Sequence, residues 1–226
     1  PRGRIYDRNM NLLVDNKAVK SIYYKKEKNI TVIEEIELAY FMSSKINLDY
    51  NNVTDRVLKE FFILKHPDIS NKKMEKSELE DLKNRKLTDD DIYELKIKRI
   101  TKDDLKLFNT RDKKSAYLYY LMNKGYSYDE KIIKKDVSDK EYAYISENIS
   151  TLKGFKTKLE WERKYLYGNT LRNIFGKVSE SNKMPEEDLK YYLSLGYSRD
   201  DRVGLTGLEK QYESIFKGTK DKYKVM

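Results

Sequence analysis

The stretch FKTKLEWERKY, residues 155–165, governs how this chain folds. Phe155, Thr157, Leu159, Trp161, Arg163 and Tyr165 alternate with Lys156, Lys158, Glu160, Glu162 and Lys164, the two-residue period of a half-buried β-strand. That period puts Trp161 on the inward face and the permanent cation Arg163 beside it. Leaving a buried charge unpaired costs roughly 3–5 kcal/mol, so Arg163 requires a carboxylate from elsewhere in the chain.

Upstream, PRGRIYDRNMNLLVDN (residues 1–16) reads as two short strands around a turn at Asn9-Met10-Asn11. Asn tolerates left-handed backbone angles, whereas Met is a poor turn residue. Ile5 and Asp7 share one face of the first strand, which makes Asp7 the expected partner of Arg163 and Asp15 the second choice. The first and last thirds then form one sheet, and everything between them is an insertion.

The middle of the chain reads as charged helices. Thr31 to Glu34 has the form of a capping box, with Ile33, Ile36 and Tyr40 as the apolar stripe behind it; Thr88 to Asp91, Thr101 to Asp104 and Ser138 to Glu141 repeat the pattern, the last leading to Tyr142, Ile145 and Ile149. Asp68 to Lys86 is mostly polar and reads as a loose connection. His66, the only histidine, precedes Pro67 with no second His and no Cys near it, so it reads as a loop residue rather than a metal ligand or general base.

Seven of the nine glycines lie from Gly154 onward, so the last third reads as short elements with tight corners. Pro185-Glu-Glu-Asp188 opens a helix carrying Leu189, Tyr192 and Leu193 up to Gly196. Thr206-Gly-Leu-Glu209 reads as a fifth capping box, with Leu208, Tyr212, Ile215 and Phe216 on one face and a stop at Gly218. GLTGLE could also suggest a phosphate loop, but it lacks the preceding strand and the Lys-Ser/Thr such a loop needs.

Composition narrows the function classes. The net charge is +9 and 38% of residues are charged, but acids interleave with bases in every third of the chain, so no clustered phosphate-binding face emerges; a basic nucleic-acid-binding α+β domain remains the alternative reading. With no cysteine, disulfide and thiolate chemistry are excluded. No apolar run approaches the roughly 20 residues of a membrane span.

Three blocks, RGRIYDRN at 2–9, WERKYLYGNTLRNIFGKVS at 161–179 and GYSRDDRVGLTGLEKQYESIFKG at 196–218, together resemble the non-catalytic N-terminal region of class B penicillin-binding proteins, of the Firmicutes and staphylococcal type. These are monofunctional peptidoglycan transpeptidases. Residue by residue, Arg2, Gly3, Asp7, Arg8 and Asn9 match the opening motif, Arg163 and Tyr165 the second, and Gly204, Gly207, Leu208, Glu209 and Tyr212 the third. The sequence departs from the pattern at Met10, where the family usually has Gly, and at Leu166, where Pro usually follows Tyr. Both departures bear on turn geometry.

The resemblance implies an α+β pedestal or dimerisation-type domain outside the membrane, with a small mixed or antiparallel sheet built from residues 1–30 and 150–226 and a helical insert at 31–149. It implies an N-terminal transmembrane anchor and a C-terminal transpeptidase domain beyond this stretch, which reads as an excerpt of a longer chain. The partners implied are that transpeptidase domain, a membrane glycosyltransferase and other cell-wall synthesis proteins, with homodimerisation open and no nucleic acid. No catalytic, cofactor or metal residue is implied here. The family's chemistry needs S-x-x-K, S-x-N and K-[S/T]-G together, because the serine must be activated by neighbouring bases and its oxyanion held beside a strand. Ser70 to Lys73, Ser150 to Lys153 and Ser214 to Lys217 match the first, no more often than chance gives in so lysine-rich a chain; Ser146 to Asn148 matches the second; the third is absent.

Overall fold

The computed structural model describes residues 1–51, 53–179, 184–198 and 201–217. In chain order the elements are β1 (Ile5–Tyr6), β2 (Leu12–Tyr24), α1 (Val32–Ser43), α2 (Asp55–Lys65), α3 (Pro67–Lys72), α4 (Lys76–Lys83), α5 (Asp89–Arg99), a 3₁₀ turn at Asp104–Leu107, α6 (Thr110–Asn123), β3 (Lys131–Lys135), α7 (Asp139–Glu147), β4 (Phe155–Tyr165), α8 (Arg172–Phe175), α9 (Glu186–Ser194), α10 (Gly207–Gln211) and α11 (Glu213–Phe216). The fold is α+β with a small antiparallel sheet. It divides into two compact units, one of Pro1–Val19 with Leu159–Met226 and the other of Lys20–Lys158, and the chain passes between them within β2 and β4.

In the Lys20–Lys158 unit, β2 pairs antiparallel with β3, Ser21 facing Lys135 and Tyr24 facing Lys131, while the Lys25 N–H donates to the Gly154 carbonyl. Ile22, Tyr24 and Phe155 pack with Ala39, Met42, Leu118, Met122 and Ile145. A second cluster, Leu58, Phe61, Phe62, Ile100, Leu105 and Phe108, holds α2 against the α5–α6 connection. Burying a phenylalanine of this kind stabilises by about 1.5–3 kcal/mol. His66 joins α2 to α3 and lies against the rings of Phe62 and Phe108.

Several sequence expectations fail in this unit. Residues 68–86 are not a loose connection: α3 and α4 occupy most of the stretch, and the Arg99 guanidinium fastens α4 by paired contacts to Glu78 at 2.6 and 2.7 Å and to the Lys73 carbonyl at 2.9 Å. α4 reads as polar because it buries no side chain and is held by charge. On α1 the stripe holds at Ile36 and Tyr40, which pack against the second cluster, but Ile33 is exposed, and Glu35, Ala39 and Met42 are the buried residues, Glu35 taking the Tyr24 hydroxyl at 2.8 Å and the Lys26 ammonium at 2.5 Å. The Thr101–Asp104 box forms but heads only the 3₁₀ turn, and Ile149 lies past the end of α7, exposed. The boxes at Thr31, Thr88 and Ser138 form as read.

In the other unit, β1 pairs antiparallel with the start of β2, Ile5 facing Val14 and Tyr6 facing Leu12, and the Leu166 N–H donates to the Leu13 carbonyl. The turn between β1 and β2 carries Met10 at φ 65°. A small core of Met184, Tyr192 and Val203 gathers below α9. β4 spans the residues expected, and Phe155 is buried as expected, but farther along the same face Leu159 and Trp161 are exposed while the Arg163 side chain is buried.

The last helix is likewise turned over. It breaks at Tyr212 into α10 and α11; Glu209 and Glu213 point inward while Tyr212 and Ile215 are exposed. Thr206 does not cap it. Its hydroxyl accepts the Lys177 N–H instead, and Glu209 is engaged elsewhere. The expected stop at Gly218 lies outside the described residues.

Candidate functional site

Arg163 carries its charge into the unit formed by the two chain ends, and the carboxylate that meets it is neither Asp7 nor Asp15. Asp7 spends its side chain on its own turn, accepting the Asn9 and Asn11 N–H groups at 2.8 Å and the Asn11 side-chain amide at 2.8 Å. Asp15 pairs with Arg4 at 2.8 Å. The partner is Glu209: its Oε1 accepts Arg163 Nε at 2.7 Å and lies 2.6 Å from Nη2, with both side chains buried. The remaining Arg163 donors go to the Gly3 carbonyl at 2.7 Å and to Asn16 Oδ1 at 3.1 Å.

A second cation completes the group. Arg2 Nε donates to Glu209 Oε2 at 2.9 Å, and its terminal nitrogens reach Glu213 at 2.6 and 3.1 Å and the Arg202 carbonyl at 3.0 Å. Glu213 also takes the Tyr197 hydroxyl at 3.0 Å and the Gly204 N–H at 2.7 Å. Asn16 closes the ring, accepting the Arg2 N–H and donating to the Arg2 carbonyl. Two arginines thus balance two glutamates, and each guanidinium is forked over a carboxylate as its planar geometry favours. Burial works against the Arg2 charge, yet Glu213 and Glu209 raise its pKa above the ordinary arginine value. Burial and then the Glu213 charge push the Tyr197 phenol upward.

The glycines of the third block serve this packing. A Cβ at Gly204 would stand 2.0 Å from the Glu209 carbonyl oxygen, and one at Gly3 would meet the Phe216 ring at 2.9 Å. Gly207, at φ 60°, lies against Gly176, where a Cβ would be 1.8 Å from the Thr206 carbonyl oxygen. GLTGLE therefore lets two backbone segments touch, which is glycine's use at close approaches.

Of the residues singled out by motif, Arg2, Gly3, Arg163, Gly204 and Glu209 meet in the cluster. Tyr165 stands apart, donating to the Gly176 carbonyl at 3.0 Å beneath the Arg172 guanidinium. Asp7 and Asn9 shape the β1–β2 turn, Arg8 is exposed, and Leu208 in α10 and Tyr212 at its C-terminal end do not join the cluster. Sequence reasoning missed Glu213, Asn16 and Tyr197. A signal for Glu213 was present: two glutamates four residues apart repel on an isolated helix, so their pairing points to cations supplied from outside.

Every charged group in the cluster is paired, and no nucleophile stands within it. Among the described residues no three His, Cys, Asp or Glu side chains converge as a metal site requires, and no helix is long and apolar enough to cross a membrane. The fold and the cluster define an α+β domain in which a saturated, buried ion-pair network ties the opening segment and β4 to α10 and α11. Over its whole length, residues 1–226, the chain matches the Penicillin-binding Protein dimerisation domain, and it belongs to that family. It is 42% identical over 224 residues to penicillin-binding protein 2A of Bacillus subtilis, covering 98% of this chain and 31% of that protein. It is 29% identical over 221 residues to penicillin-binding protein 2B of Streptococcus pneumoniae serotype 2, covering 96% and 32%. The solved structure of penicillin-binding protein 2B from S. pneumoniae strain R6 superposes with a TM-score of 0.72 at 28% identity, covering 96% of this chain and 33% of that one. The chain spans about a third of the length of these relatives. The nucleic-acid reading gains no support from them, and Arg2, Lys65, Arg99, Lys134 and Arg163 are held on carboxylates in the fold.

Proposed function

We propose that this domain is the pedestal of a peptidoglycan-synthesising class B penicillin-binding protein, holding a D,D-transpeptidase domain at its working position on the outer side of the bacterial cell membrane and offering surface for cell-wall synthesis partners. The reading rests on one observation: Arg2 and Arg163, from the opening segment and from β4, are locked onto Glu209 and Glu213 near the far end of the chain. A platform that carries another domain gains from such a clasp, because the segments entering and leaving it are fixed to one point. On this reading the residues near both ends, 1–30 and 150–226, serve as pedestal, and the helices of 31–149 are an insert presenting surface to partners, among them a membrane glycosyltransferase and a second copy of the protein.

A fluorescent penicillin tests the division of labour. This chain is expected to stay unlabelled, while the parent protein acquires one label at a serine outside residues 1–226. Labelling of a serine within these residues overturns the proposal. In the parent, Arg163→Ala is expected to lower peptidoglycan cross-linking in membranes while penicillin acylation persists; loss of both in step would mean that the clasp supports folding alone.

A further inference from the structure

Arg56, Lys106 and Lys153, on the surface of the Lys20–Lys158 unit, each stand beside an acid. The outer side of α6 breaks with this. Its sequence is TRDKKSAYLYYLMN, and the one acid in it, Asp112, is buried and held by Lys65 and the Tyr40 hydroxyl. Asp112, Ser115, Ala116, Leu118 and Met122 face the core, so the helical period leaves Lys113, Lys114, Tyr117, Tyr120, Leu121 and the following Lys124 on the opposite side. Among the described residues no carboxylate pairs with Lys113, Lys114 or Lys124. The Lys114 ammonium lies over the Tyr50 ring at 5.5 Å and the Lys124 ammonium over Tyr120 at 5.9 Å, while Tyr117 and Tyr120 stack with centroids 6.5 Å apart. A ring face attracts the cation but leaves its N–H donors open. Beside this stripe runs an open groove of about 750 Å³, lined by Tyr117 and Leu121 of α6 and by Asp49 and Tyr50 of the loop after α1. Lys134 lines it too but is held by Glu141 at 2.7 Å.

We infer that this face binds an extended acidic segment of a partner protein, its carboxylates on Lys113, Lys114 and Lys124 and one apolar side chain in the groove against Tyr117 and Leu121. Charge complementarity carries the inference: three lysines without acids stand against the single carboxylate of Asp49. From Lys113 to Lys124 the helix rises about 17 Å, which about five residues of extended chain span. The groove selects among anions. A flat lipid surface cannot enter a concavity, and a phosphodiester chain would set its charge against Asp49 with no donor to offer it. A peptide backbone brings N–H donors, which Asp49 accepts through the oxygen that the Asn51 N–H does not use. The inference rests on the pedestal reading only for the existence of protein partners; it adds their chemistry and their place.

The test titrates this chain into a fluorescein-labelled peptide, Glu-Glu-Leu-Glu-Glu between Gly-Ser ends, and follows the anisotropy. Saturable binding with Kd below about 1 mM is expected at about 50 mM salt, weakening as salt rises. The same peptide with Gln for every Glu should bind at least about tenfold more weakly, and with Ser for Leu about threefold. Lys113→Gln, Lys114→Gln and Lys124→Gln are each expected to cost about threefold and the triple variant at least about tenfold, whereas Lys102→Gln, exposed on the connection before α6, should change nothing. No saturation up to about 1 mM, equal binding of the Gln peptide, full affinity in the triple variant, or tighter binding of oligothymidylate or phosphatidylglycerol vesicles than of the acidic peptide would each overturn the inference. None of these outcomes alters the penicillin labelling of the parent, so the two readings fail separately.

Discussion

Arg163 and Glu209, separated by 46 residues in sequence, lie 2.6 Å apart with the arginine side chain 5% exposed and the glutamate fully buried. The pair belongs to a cluster in which Arg2 shares the same carboxylate, so removing any member leaves a charge without its partner in a dry site.

Arg163→Ala is expected to destabilise the domain by about 3–5 kcal/mol, because Glu209 keeps its charge and loses one of two cations. Arg163→Lys should recover only part of this, since an ammonium cannot reach Glu209, the Gly3 carbonyl and Asn16 at once. Urea unfolding of the three proteins decides it; a wild-type midpoint for Arg163→Ala would show that the pair contributes nothing.

Gly204→Ala tests the close approach behind the cluster. The added methyl carbon would stand 2.0 Å from the Glu209 carbonyl oxygen and displace the backbone that presents the carboxylate. A loss of about 1–3 kcal/mol is expected, as for other overpacked interiors. Gly125→Ala is the control for added bulk, because its Cβ would meet nothing within 4 Å; at φ 81° it retains only the backbone cost.

Met10 sits at φ 65° and is 73% exposed, so it bears the strain of a left-handed backbone and gives little packing in return. Met10→Gly should raise stability by about 0.5–1 kcal/mol, the strain relieved less the extra freedom glycine has when unfolded. A lower thermal midpoint for the variant would contradict this account of the turn.

Acid should weaken the other unit through Glu141. Burial opposes its charge, but Lys134, the Asn47 N–H and the Ser138 cap draw its pKa down from 4.5 to about 2. A carboxylate with a lowered folded pKa stabilises the fold above its unfolded value, and that contribution fades as pH falls from about 5 to about 2. Glu141→Gln should therefore cost most at pH 7 and least near pH 2, giving a shallower decline of the urea midpoint with acid. Parallel profiles for the two proteins would refute the assignment.

The local features were legible because they depend on neighbours in sequence. Thr31, Thr88 and Ser138 each find their carboxylate three residues on, and β4 keeps the limits its alternation gave. The fold class and the family could be read from the same residues. Faces were harder: Trp161 and Ile33 look like core residues by type but are exposed, while Glu35, Glu209 and Glu213 look like surface residues but are buried. Residue type gives the cost of burying a group alone, and a partner from another part of the chain removes that cost.

For Arg163, the residues of β4 by themselves established that a buried cation had to find an acid. Only the tertiary structure decided which one. Asp7 lies just past β1, in the turn, and its oxygens are taken by Asn9 and Asn11, whereas Glu209 is brought up from a distant helix by glycines that let the backbones touch. A hydrogen-bonding group can be claimed by its own turn or by a remote charge, and that competition is settled by positions in space, which no periodicity along the chain encodes.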